Sequence, residues 1–236
     1  MKRLALDVWS DIACPWCYVG KRRLEGALAQ FAHQGAVDLT WRAFELDPSA
    51  PAVLDASASY AERLATKYGS SVREAEGMIE RMTEVAAQDG LELRFDRVRA
   101  GNTFDAHRAL HAAIERGPKV QDAVKERLLR GYMTEGEAIG DRDVVARLAG
   151  EAGLERDAVR AMLETDAHAR EVRADEARAQ ALGIRGVPFF VIGGRYGVSG
   201  AQPIEVLLGA IEKAWSELPE LEVTPDGATC GPDGCA

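Results

Sequence analysis

An α/β domain interrupted by a large all-α helical insertion, followed by a C-terminal arm, is the architecture this sequence predicts. Three observations predict it. Strand-like alternation is confined to residues 4–9, 36–44 and 186–199; the stretch from about 57 to 182 carries helical periodicity; and residues beyond 218 carry neither. The α/β part therefore spans 1–48 and 184–217, the helical insertion 49–183 and the arm 218–236.

Leu4-Ala5-Leu6-Asp7-Val8-Trp9 alternates and branches like a short strand, and Ser10-Asp11-Ile12-Ala13 turns out of it. A helix follows from Pro15, with Leu24, Leu28 and Phe31 at near-helical spacing; proline is tolerated in the first turn because its missing N–H would have no intrahelical partner there. Ala36 to Phe44 is a second strand with Val37, Leu39 and Trp41 on one face. Strand, helix and strand make a parallel β-α-β unit with a right-handed crossover. Asp47-Pro48-Ser49-Ala50-Pro51 ends it.

In the insertion, helices are expected at 60–64, 72–87 and 104–115, around the stripes Val120, Val124, Leu128 and Val144, Val145, Leu148, at 158–166 and over the charged stretch 167–181. No fixed-period repeat is present, so a compact helical domain is preferred to a solenoid. Strand character returns at Gly186 to Ile192. Gly193-Gly194 then suits a tight hairpin turn into Arg195 to Ser199. Pro203 opens an amphipathic helix carrying Ile204, Leu207, Leu208, Ile211 and Trp215.

The chemistry sits at Cys14-Pro15-Trp16-Cys17. Two thiols two residues apart can close a disulfide within one helical turn and pass it on by exchange. Cys14 falls at a helix N-terminus, where unpaired N–H groups and the positive dipole end favour a thiolate, so its pKa is expected below the roughly 8.5 of a free cysteine. Cys17, one turn deeper, suits the resolving partner. The same spacing is also half of a zinc site, which Cys230 and Cys235 of the terminal Cys-Gly-Pro-Asp-Gly-Cys would complete, and a purely structural disulfide is a further reading. The proline within the pair and the strand-to-helix setting favour redox chemistry, with no metal. Gly231-Pro232-Asp233-Gly234 is turn chemistry that can bring Cys230 and Cys235 together as a second redox pair. Asp11 and Glu45 are proton acceptors for Cys17 if they are buried beside it. His107 and His111 share a helix face at i, i+4 spacing but lack an evident third metal ligand.

Composition bounds the remaining classes. A formal charge of −9 and a pI near 5.1 argue against a nucleic-acid surface, and Lys21-Arg22-Arg23 reads as a solvated helix face. No run approaches membrane-spanning length and no export signal precedes the motif, so the expected setting is the reducing cytoplasm, where disulfides are mostly transient and catalytic. There is no P-loop, dinucleotide fingerprint or serine-hydrolase elbow.

Cys14-Pro15-Trp16-Cys17 after a first strand, together with Gly186-Val187-Pro188-Phe189-Phe190, resembles the thioredoxin superfamily and within it the DsbA family. Residues 11–21, Asn102 to Arg108 and the tail pair are similar to the FrnE-like branch, and the likeness spans nearly the whole chain. The resemblance implies a thioredoxin fold interrupted by the helical insertion. It also implies a cis Pro188 against the Cys14/Cys17 pair, a Val187 backbone that pairs with substrate alongside Pro15 and Trp16, and a wall of Asn102, Thr103, Phe104 and His107 facing the site. Expected partners are thiol- and disulfide-containing proteins. No bound cofactor is expected, with glutathione or a thioredoxin-type reductant as the electron source. Trp16 departs from the DsbA pattern, where a histidine at this place helps stabilise the thiolate, so Cys14 should be less acidic than in DsbA. The alternative is a glutathione-dependent transferase or isomerase of the kappa or 2-hydroxychromene-2-carboxylate isomerase type, whose members carry serine where Cys14 stands.

Overall fold

The computed structural model describes residues 2–52 and 58–219. β1 (Leu4–Ser10) and β2 (Val37–Ala43) pair in parallel, connected by α1 (Pro15–Gln30). β3 (Phe189–Ile192) lies antiparallel to β1, and β4 (Tyr196–Ser199) antiparallel to β3, giving the sheet order β2-β1-β3-β4. Between β2 and β3 come α2 (Tyr60–Tyr68), α3 (Val72–Gln88), α4 (Phe104–Ile114), α5 (Pro118–Arg130), α6 (Arg142–Glu151), α7 (Arg156–Leu163) and α8 (Ala169–Ala181). α9 (Ile204–Ser216) closes the described chain. No helix among the described residues is long and apolar enough to cross a membrane.

The alternation of β1 sorts its side chains into two cores. Leu4, Leu6 and Val8 face α1 and α9, where Leu24, Ala27, Phe31, Leu207 and Ile211 bury them completely. Each such side chain contributes about 1.5–3 kcal/mol. Trp9 points the other way, into a small core with Ala179, Ile184 and Val191, and its indole N–H donates to the Asp175 carbonyl of α8. Gly193 and Gly194 have φ of 61° and 68°, which explains why two glycines connect β3 to β4. β3 begins at Phe189 rather than Gly186, because residues 186–188 leave the ladder to pass beside the start of α1.

The helical insertion has its own core, drawn from α3 to α7, and three residues flanking the cysteines enter it: Ile12, Tyr18 and Val19. The insertion also seals the sheet's β2 edge. The Gln121 side chain on α5 accepts from the Trp41 N–H at 2.9 Å and donates to the Trp41 carbonyl at 3.0 Å, taking the place of a neighbouring strand, and Asp175 on α8 accepts from the Ala43 N–H at 3.0 Å.

Lys21-Arg22-Arg23 is corrected by the structure. Lys21 is only 2% exposed, and its ammonium meets Glu25, Asp122 and Glu126; Arg22 bonds Glu25 and Glu126, and Arg23 bonds Asp89. Three cations in succession look solvated when several of their carboxylate partners lie far along the chain, as Glu126 on α5 lies 104 residues from Arg22. Here they fasten α1 to the insertion.

Candidate active site

Cys14 is the N-cap residue of α1 and Pro15 its first helical residue. The local sequence dictates this turn: the Asp11 side chain accepts from the Ala13 N–H at 3.3 Å and its backbone carbonyl from the Cys14 N–H at 3.4 Å, turning the chain from β1 into the helix. Cys14 and Cys17 are both thiols in the structure, buried at 5% and 0% exposure, so Cys14 holds the outer position as expected. A hydrogen bond from the Cys17 thiol, helped by the Cys17 and Trp16 N–H groups, outweighs burial and holds Cys14 below the ordinary cysteine value. Burial, and the proton Cys17 gives to Cys14, push Cys17 well above it. One sulfur is prepared to attack, and the other to keep its proton until needed.

The Val187–Pro188 peptide bond is cis, and the Val187 carbonyl lies 3.6 Å from Cys14 Sγ, accepting its proton. Pro188 packs against α1 at Gly20, one turn beyond Cys17. A Cβ on residue 20 would stand 2.9 Å from Pro188 Cγ, so only glycine admits this contact. Gly20→Ala is expected to push the 187–188 segment off Cys14 and to slow protein-disulfide exchange about tenfold or more while costing about 1–3 kcal/mol of stability; paired thermal melts and exchange assays check it.

Behind the cysteines lies a buried polar cluster. Asp11 Oδ1 is 3.4 Å from His107 Nε2, and Asp11 Oδ2 accepts from the Leu46 N–H at 2.8 Å. Burial pushes the Asp11 carboxyl up, but His107, Leu46 and Thr103 together hold it below its ordinary value, while burial lowers His107 and keeps it neutral. Lys125, on α5, is fully buried; its ammonium has no hydrogen-bond partner among the described residues and sits 5.6 Å from the Trp41 ring centroid. Burial draws its pKa down to about 8, and its charge acts on Cys17 through space, opposing the upward shift.

Of the other expected residues, Asp11 reaches the site and Glu45 does not. Glu45 is buried, but Arg173 of α8 engages it, and burial with the neighbouring Glu176 raises it to about 7. Thr103 lines the cleft with Cys14, whereas His107 is buried behind it against Asp11. Phe104 instead packs under Arg173 with 4.3 Å between guanidinium carbon and ring, and the Asn102 side chain, just before the Thr103 N-cap of α4, accepts from the Phe104 N–H. His107 and His111 address different carboxylates, Asp11 and Asp175, which removes them as a metal pair. Among the described residues, no group of three or more His, Cys, Asp or Glu side chains is arranged to hold a metal. Cys230 and Cys235 lie outside the described residues.

Cys14 opens onto a cleft of about 920 Å³ between the motif and the α2–α3 pair. Trp16 stands at its rim, 44% exposed, and Tyr60 and Tyr132 line its floor. Burial and the charge of Cys14 push the Tyr60 phenol up to about 12, so it remains a hydrogen-bond donor at neutral pH.

A family model described as DSBA-like thioredoxin domain matches residues 5–212. A crystal structure of a probable DsbA oxidoreductase from Streptomyces coelicolor is 44% identical, with a TM-score of 0.86 over 99% of each chain. An uncharacterized Bacillus subtilis protein, YwbO, is 29% identical over 191 residues, 80% of this chain and 86% of its own. A 2-hydroxychromene-2-carboxylate isomerase shares the fold at 15% identity, with a TM-score of 0.62 over 89% of this chain and 95% of its own.

Proposed function

The chain belongs to the DSBA-like thioredoxin domain family, and on that footing we propose that it is a thiol-disulfide oxidoreductase or isomerase acting on thiol- and disulfide-containing proteins through Cys14 and Cys17. The Cys14 thiolate attacks one sulfur of a substrate disulfide, forming a mixed disulfide and releasing the other sulfur as a thiolate that takes up a proton. Cys17 then loses its proton and attacks Cys14 Sγ. The Cys14–Cys17 disulfide forms, and the second substrate thiol departs. Run backwards, the same two steps oxidise a substrate dithiol, and the direction follows the potential of the pair against its redox partner. The observation that carries this reading is the opposite preparation of two neighbouring sulfurs, Cys14 at the helix N-terminus beside the cleft and Cys17 sealed behind it.

Pro188 is proposed to act beside the attacking sulfur and Val187, Pro15 and Trp16 to contact substrate, with the Val187 backbone, whose carbonyl lies 3.6 Å from Cys14 Sγ, as the pairing edge for an extended chain, which favours breadth over side-chain selection. The FrnE-like likeness and the cytoplasmic setting belong to the same proposal, with glutathione or a thioredoxin-type reductant as electron source. Cys230 and Cys235 are proposed as a second pair exchanging with the first. Leu218 packs in the core that holds Leu4, at the start of β1, and Cys230 lies 11 residues beyond Pro219. The alternative, a glutathione-dependent transferase or isomerase of the kappa or 2-hydroxychromene-2-carboxylate isomerase type, is disfavoured by Cys14 standing where that type carries serine.

Equilibration of the full chain in graded glutathione buffers, followed by mass mapping of both pairs, tests the reading. The expected result is a reversible two-electron transition linking Cys14 to Cys17, with cross-linked Cys14–Cys230 or Cys14–Cys235 species captured on rapid alkylation. Cys14 and Cys17 that never form a disulfide with each other would reject the proposal.

A further inference from the structure

Glu45 is a buried carboxylate that the exchange chemistry leaves unused, and its place in the chain joins the two segments that frame Cys14. Its side chain is completely buried. One oxygen, Oε2, accepts from Arg173 of α8, and the other, Oε1, has no hydrogen-bond partner among the described residues. Arg173 is shared: the same guanidinium nitrogen also donates to Glu176 Oε2 at 2.7 Å, and the guanidinium lies over the Phe104 ring. Two carboxylates therefore divide one cation, and the buried one is only half satisfied.

On one side, Glu45 adjoins Leu46, whose N–H donates to Asp11 Oδ2 at 2.8 Å. Asp11 in turn accepts from the Ala13 and Cys14 N–H groups that turn the chain into α1. On the other side, Arg173 belongs to the helix that leads into Val187-Pro188. The Ile184 N–H returns to the Ala179 carbonyl at 2.9 Å and the Ile184 side chain is buried in the small core with Trp9, so α8 and the start of the segment after it are fastened together. The other carboxylates nearby have their partners: Asp175 of α8 takes the Ala43 N–H, Arg42 and His111, and Asp11 faces His107 of α4. Of these, Glu45 is the one left with an open oxygen.

We propose that Glu45 is a positioning residue: when charged, its pair with Arg173 clamps the Cys14 turn to α8 and holds the Val187 edge in register with the attacking sulfur, and when protonated it releases Arg173 to Glu176. The proposal rests on the disulfide-exchange reading and adds a pH control to it. Burial, reinforced by Glu176 and opposed by Arg173, holds the Glu45 pKa at about 7, so the clamp opens and closes in the neutral range. The folded value stands above the ordinary one, so the folded chain keeps a proton that the unfolded chain has lost. Native stability therefore falls as pH rises from the ordinary glutamate range through about 7.

The test follows mixed-disulfide formation between Cys14 of the full chain and a disulfide-bearing peptide across neutral pH, with each rate divided by the Cys14 thiolate fraction from iodoacetamide alkylation at the same pH. A thiolate-corrected rate is flat unless another group intervenes. It should rise about threefold as pH passes about 7. Glu45→Gln, which stands in for the protonated acid, should hold the rate low and flat. Arg173→Met should do the same and Arg173→Lys should restore the rise; should Arg173→Met fold poorly, Glu45→Gln decides. Lys125 titrates close above this range but is present in every one of these proteins, so it cannot account for a difference between them. Thermal melts over the same range should show the downward stability slope in the native chain and its loss in Glu45→Gln. A flat corrected rate in the native chain, or a rise that survives in Glu45→Gln, would overturn the proposal. A Cys14 that forms no mixed disulfide at any pH would instead reject the exchange chemistry beneath it.

Discussion

Cys17→Ser is expected to convert a turning-over exchange into a single event, with Cys14 attacking substrate disulfides and remaining linked to them. In the native chain the resolving thiol lies one turn away on the same rigid helix, and such an intramolecular group acts at an effective concentration far above any external thiol. Millimolar glutathione is a poor replacement, so multiple-turnover exchange should fall about 10³-fold. Non-reducing electrophoresis should show the protein joined one-to-one to substrate, and mass mapping should find the linkage at Cys14. The loss is asymmetric: Cys14→Ser removes the nucleophile and should leave no covalent adduct at all, because Cys17 is completely buried and holds its proton.

Lys125→Met should slow resolution and stabilise the fold together. Among the described residues the buried ammonium has no hydrogen-bond acceptor; the Trp41 ring and the more distant charges of Asp11 and the cysteines only partly offset its burial, which still draws its pKa down, and an incompletely compensated buried charge is destabilising. Replacement by an apolar chain of similar length should raise stability by about 1–2 kcal/mol. The sign of the pH dependence follows from the depressed pKa. Between about 8, the folded value, and the ordinary lysine range the unfolded chain binds the extra proton, so native stability rises with pH across that window. The variant should lose this rise. Its mixed disulfide should resolve about tenfold more slowly at pH 7, because the Cys17 thiolate has lost the cation that favours it, with the rate recovering at higher pH. A purely structural lysine would give the reverse pattern, lower stability and unchanged resolution.

The two cysteines, the strand before them and the Val-Pro segment are legible in the sequence because their signals are local: alternation in Leu4 to Trp9, a proline at the first helical residue, two glycines at a tight turn. Lys125 is not legible. It sits beside Val124 in an amphipathic helix, where lysine ordinarily covers a solvated face, and only the packing of α5 against β2 turns it toward Trp41. Lys21 was hidden for the same reason, since two of the three carboxylates that accept it, Asp122 and Glu126, stand about a hundred residues away. Glu45 shows the converse. It is buried as the apolar stretch around it suggests, yet the partner that decides its role, Arg173, lies on a helix 128 residues on. Gln121 completing the edge of β2 is equally invisible, because one glutamine among the charged residues of α5 carries no periodic signal.

The central claim is that two sulfurs three residues apart are prepared in opposite ways. Alkylation of the reduced full chain with iodoacetamide as a function of pH, read by mass mapping of each cysteine, tests it most directly. Cys14 should be modified with a midpoint below the roughly 8.5 of a free cysteine, and Cys17 should stay unmodified through that range. A Cys14 midpoint at or above the free value, or modification of Cys17 first, would contradict it.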